Sequence, residues 1–102
     1  MVTVRITPGN CDFQSRIHVD RIGKTQFKVR IETECEQVSR LVGLIHEMSL
    51  RDALSPITHS PLLEKAAASG LHVSCPIPLG IIKAIEVEAE LALPADVGIL
   101  FE

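Results

Sequence analysis

The sequence predicts an α+β domain: three N-terminal strands plus a C-terminal strand in one antiparallel or mixed sheet, with three to four helices packed on one face. Three observations carry this. Apolar and polar residues alternate with a period of two through the first part of the chain. They then recur at helical spacing, and the alternation returns at Val97, Ile99 and Phe101. Strands grouped first and helices grouped afterwards favour a sheet with segregated helices over a βαβ alternation.

The elements follow in order. Val2, Val4 and Ile6 alternate with Thr3, Arg5 and Thr7 as a half-buried strand that ends at the turn Pro8-Gly9-Asn10. Cys11 then opens a second strand, with Phe13, Ile17 and Val19 on the apolar face and Ser15 as its one polar member. Arg21-Ile22-Gly23-Lys24 reads as a hairpin loop, and Phe27, Val29 and Ile31 form the inward face of the partner strand. Thr33 or Glu34 caps a first helix whose stripe is Val38, Leu41, Val42 and Ile45, widened by Leu44 and Met48. Ser49-Leu50-Arg51-Asp52 is an acidic variant of a capping box, cut short by Ser55-Pro56. Ser60-Pro61 opens an alanine-rich helix that stops at Gly70. Pro76 and Pro78 then fall in the first turn of a last helix running from Leu79 to Leu93.

The 102 residues make one domain, 1–102, and 46% hydrophobic residues are enough for a core. Trp and Tyr are absent, so that core is aliphatic. A net charge of −3 with no basic stripe and few aromatics argues against nucleic acid as a partner. No apolar run approaches the roughly 20 residues that span a bilayer, and no secretory signal opens the chain, so no membrane partner and a cytoplasmic location are expected. The last helix is apolar over nearly its whole circumference except Lys83, Glu86 and Glu90. That breadth predicts a homo-oligomer through the Leu79 to Leu93 helix or another protein partner, with Glu88 either at an exposed end or ion-paired across a subunit contact.

The chemistry lies in three cysteines, an odd number that suits a reducing compartment better than a disulfide framework. Cys11 is expected to start a strand, and Cys35 and Cys75 to start helices, where the helix dipole favours thiolate. Glu34 and Glu36 flank Cys35, and Asp12 follows Cys11. Carboxylates oppose a reactive thiolate but suit a bound cation. The separations along the chain match no local zinc-finger or ferredoxin pattern, so convergence has to come from the fold. Cys11, Cys35 and Cys75 are therefore the candidate ligands for zinc or an iron–sulfur cluster, with His72 as candidate fourth ligand. Two other readings stand beside this one. The cysteines of a structural or partner-binding module would be buried without ligating anything, and a cysteine-dependent enzyme would act through Cys75 with His72 as base.

Ser74-Cys75-Pro76 before a helix, a cysteine at the strand-to-helix junction (Cys35) and one ahead of a strand (Cys11) together resemble the TSCPD domain. That domain occurs alone and at the C-terminus of vitamin B12-dependent ribonucleotide reductases. Val73 and Ile77 stand where the family has Thr and Asp, and the glycine-rich approach to the second cysteine is missing. The chain is also similar to small uncharacterised Cys-Pro-x-Pro proteins of anaerobic prokaryotes, which share the segment Ala92-Leu93-Pro94-Ala95-Asp96-Val97. The resemblance implies a thiol-based metal site and no particular reaction.

Overall fold

The computed structural model describes the whole chain, Met1–Glu102. Strands β1 (Val2–Ile6), β2 (Ser15–Arg21), β3 (Gln26–Glu32) and β4 (Glu47–Ser49) form one antiparallel sheet in the order β1-β2-β3-β4. Helices α1 (Glu36–Ile45), α2 (Leu50–Ala53), α3 (Pro61–Ala68) and α4 (Ile77–Glu88) complete the α+β fold. The register pairs Val2 with Val19, Val4 with Ile17, Ile17 with Ile31 and Val19 with Val29. Apolar residues thereby share one face, as the period-2 pattern requires. A continuous core of 17 residues joins that face to all four helices, with Phe27 its one aromatic member. The opposite face carries Arg5, Arg16, Lys28 and Arg30 in solvent.

Local chemistry explains most boundaries. Ser49 Oγ accepts from the Asp52 N–H at 3.0 Å, and Ser60 Oγ accepts from the Leu63 N–H at 3.2 Å, with Pro61 in the first turn of α3. At the end of α3, Gly70 takes φ +82°, with the Gly70 N–H bonding the Ala67 carbonyl and the Leu71 N–H that of Ala66. This is a Schellman cap.

Three expectations need correction. The first helix stops at Ile45 and Met48 lies instead in β4, opposite Phe27. Hydrogen bonds from the Val29 N–H to the His46 carbonyl (2.8 Å) and from the Leu50 N–H to the Thr25 carbonyl (2.8 Å) pull this segment onto the sheet margin. The last helix spans Ile77–Glu88 rather than reaching Leu93. Glu90, at φ 63°, forms a second Schellman cap through Glu90 N–H to Val87 carbonyl and Leu91 N–H to Glu86 carbonyl. Finally, Val97, Ile99 and Phe101 do not close the sheet: residues 92–102 belong to no strand, and the fourth strand is β4.

The position of α4 fixes the rest. A Cβ at Gly80 would collide with Ile6 Cδ1 and come within 3.1 Å of Ile17 Cδ1, so only glycine lets the helix lie this close to β1 and β2. At its other end Glu88 Oε2 accepts the Arg21 N–H at 2.9 Å, and Oε1 lies 3.5 Å from the Met1 ammonium. Glu88 is thus paired within its own chain, and the pairing pins α4 parallel to β2. No helix is long and apolar enough to cross a membrane.

Because a non-glycine residue in the left-handed region carries a steric penalty of about 1 kcal/mol, Glu90→Gly should stabilise the protein by up to about that amount. Urea denaturation would read this as a higher midpoint at unchanged slope. A lower midpoint would contradict the cap.

Candidate metal centre

The sheet register decides where the cysteines can be. Ile6 pairs with Ser15 and Arg16 with Glu32, so the β1–β2 connection and the exit from β3 lie at the same end of the sheet. Gly80, in the first turn of α4, sits over Ile6 and Ile17 at that end too. Cys11 in the first connection, Cys35 after β3 and Cys75 before α4 are therefore carried to one end by three separate elements.

Each occupies a distinct setting. Cys11 is exposed in a turn closed by the Asp12 N–H to Gly9 carbonyl bond (3.0 Å), with Gly9 at φ +88° and Asp12 at 58°. It precedes β2 by a loop and does not begin the strand, and Phe13 is likewise outside it and exposed. Cys35 is the N-cap residue of α1 and half-buried, and its Sγ donates to Gln37 Oε1 at 3.3 Å. Cys75 is half-buried immediately before the N-cap residue Pro76. His72 is exposed, and its carbonyl accepts the Cys75 N–H at 3.0 Å in a turn that sets the two residues side by side.

One buried bridge holds two of these loops together. Ser15 is 2% exposed, and its hydroxyl donates to Thr33 Oγ1 at 2.9 Å. Thr33 Oγ1 also accepts the Cys35 N–H at 3.1 Å. The serine that interrupts the apolar face of β2 thus ties the exit of the Cys11 loop to the backbone of Cys35.

The electrostatics correct one expectation. Helix position was expected to lower the Cys75 pKa. Instead burial raises it, against the Ile77 N–H, which lowers it, while charge on Cys11 and on Cys35 raises it further. Both other thiols are therefore close enough for their charge to act on Cys75. As the side chains stand, no group of three or more His, Cys, Asp or Glu is arranged to hold a metal ion. The three loops that carry the cysteines meet at one end of the sheet, and their side chains form no closed ligand shell. Thiolates held near one another repel, and a cation is the partner that would reverse that repulsion.

Sequence reasoning missed a second polar cluster, on the open face of the sheet. His18 Nε2 meets Glu32 Oε2 at 2.7 Å, and His18 Nδ1 meets Thr3 Oγ1 at 2.9 Å. The hydrogen bond and charge of His18, with Arg16 and Arg30 nearby, hold the Glu32 carboxyl below its usual range despite slight desolvation. Alternation places His18 on the polar face of β2 and says nothing of its partners. Only the register, which sets Thr3 opposite His18 and Glu32 on its diagonal, could have found the cluster.

A family model described as a family of unknown function (DUF6951) matches residues 2–101, and the chain belongs to that family. No curated protein matches the chain. No solved structure matches it either.

Two outcomes test this geometry. Ser15→Ala removes one of the two donors to Thr33 Oγ1 and should cost about 1–2 kcal/mol in urea denaturation, whereas an unchanged midpoint would show that the bridge bears nothing. For Cys75, a folded-state pKa above the ordinary thiol value means that the unfolded chain loses the proton first. In reduced protein this contribution to stability is intact below the ordinary thiol pKa and declines as pH rises through it toward the folded value. Urea midpoints at neutral and alkaline pH should therefore fall more steeply for the native chain than for Cys75→Ser. Equal slopes would contradict the assignment.

Proposed function

We propose that this chain is a small metal- or iron–sulfur-binding domain whose ligands are the thiolates of Cys11, Cys35 and Cys75. The supporting observation is the convergence of three separate loops at one end of the sheet, with two thiols acting electrostatically on the third. Cys11 is exposed, which weighs against a cysteine that merely fills a core, while Cys35 and Cys75 are half-buried against the core. The raised Cys75 pKa weighs against a thiolate nucleophile in the free protein. The TSCPD-like residues Ser74-Cys75-Pro76 point to thiol-based ligation as well. His72, beside Cys75 across a turn and exposed, is the proposed fourth ligand, completing a Cys3His set for zinc. For an iron–sulfur cluster, that fourth position would be left to it or to an exchangeable group. A reducing cytoplasm is the compartment in which such thiols stay available. Association with a second copy, expected from the Leu79 to Leu93 stretch, keeps the support of Leu79, Leu91 and Leu93, at 47%, 59% and 87% exposure. Most of α4 is spent on the chain's own core.

Anaerobic purification followed by metal analysis and a visible spectrum tests the reading. The absence of Trp and Tyr leaves thiolate and charge-transfer bands unobscured. Zinc would give about one colourless ion per chain, and a cluster would give charge-transfer absorption. Substituting Cys11, Cys35 or Cys75 by Ser should each lower affinity by more than the roughly 10–100-fold lost with an outer-shell partner. His72→Ala reports on the fourth position. A native chain that retains and takes up no metal, indistinguishable from its cysteine variants, would contradict the proposal.

A further inference from the structure

Residues 92–102 follow α4 without making a single hydrogen bond. Val97, Ile99, Leu100 and Phe101 are 54%, 84%, 88% and 99% exposed. A five-residue run of Val-Gly-Ile-Leu-Phe with no charge and no proline is a strand former left in water, a recognised hazard for unplanned pairing. The same molecule has the complementary defect. The order β1-β2-β3-β4 leaves β1 at the margin, and none of the backbone hydrogen bonds outside the sheet ladders involves Val2–Ile6. Its inward residues Val2 and Val4 stay partly exposed because nothing flanks them. The other margin, β4, is only three residues long, which protects it.

We propose that residues 97–101 pair as an added strand with the free edge of β1 in a second copy of this chain, each copy giving its segment to the other. Each chain carries one unpaired strand and one unpaired edge, so a twofold exchange uses both and leaves neither exposed. The segment does not lie on its own edge. It leaves α4 beside Met1 and Arg21, at the Val2 end of β1, so the shortest pairing within the chain would run parallel to β1, the weaker ladder. A second copy can be met antiparallel. The register that sets Val97 opposite Ile6, Ile99 opposite Val4 and Phe101 opposite Val2 keeps these three on the helix-covered face and places Leu100 opposite Thr3 on the open face. It also puts Asp96 diagonal to Arg5, the one charge in β1, on the open face. Four apolar side chains per segment at roughly 100 Å² each, with the surfaces they cover in both copies, bury on the order of 1,600 Å², the size of a stable interface. The inference is independent of the thiol reading and uses a different surface from α4.

Sedimentation of the reduced chain with chelator present, so that neither disulfide nor shared metal can join the copies, should give a dimer. Ile99→Lys, which replaces an exposed residue, should leave the fold intact by circular dichroism and weaken dimerisation by about a hundredfold or more. Backbone amides of Val2–Ile6 should then exchange faster with deuterium. A monomeric native chain would overturn the proposal, whether residues 97–101 exchange freely or are protected on their own edge. So would a dimer that ignores Ile99→Lys and dissociates with Leu79→Lys, which would place the contact on α4.

Discussion

The absence of a side chain at Gly80 lets α4 settle onto β1 and β2 against Ile6 and Ile17. Everything at the cysteine end depends on that approach. A larger residue would lift the start of the helix away from the sheet and carry Cys75 with it. Glu88 completes the constraint at the far end by accepting the Arg21 N–H, so the helix is fixed in both distance and direction. A helix held at two ends delivers Cys75, just ahead of its N-cap residue Pro76, to the end of the sheet that carries the β1–β2 connection.

Around that place, the local interactions favour order while Cys75 itself resists charge. The Ser15–Thr33–Cys35 bridge satisfies the buried Ser15 hydroxyl against the half-buried Thr33 and Cys35, and no buried side-chain nitrogen or oxygen lacks a partner. The sulfurs are different. Burial and the neighbouring thiols both discourage ionisation of Cys75, so the free protein holds it as a thiol. A bound cation would change the sign of the neighbouring charge, and ligand binding would then release protons.

The sequence made the sheet legible wherever side chains alternate strictly, as in β1 and β3, and made helix starts legible wherever a cap residue stands, as at Ser49 and Ser60. It misled where a pattern admits two periods. Met48 continues the α1 stripe at helical spacing, yet backbone hydrogen bonds to β3 claim it as a strand. Glu90 ends α4 in a conformation that glycine usually supplies, so no glycine marked the stop. Val97, Ile99 and Phe101 carry a strand pattern without a strand partner inside the chain, a case where propensity and tertiary pairing part company. Of the candidate site, the residue types were visible and the convergence was not, since it follows from register and from the packing of α4. Ser15 looked like a flaw in an apolar face because its partner, Thr33, lies on another element.

The central claim is that three sulfurs, distant along the chain, are neighbours able to bind one metal. X-ray absorption at the metal edge of the zinc-loaded protein tests it most directly, because it counts the ligands and measures their distances. The account predicts a shell of three sulfur scatterers at about 2.3 Å with one lighter atom at about 2.0–2.1 Å. A shell of nitrogen and oxygen alone, or a single sulfur, would contradict it.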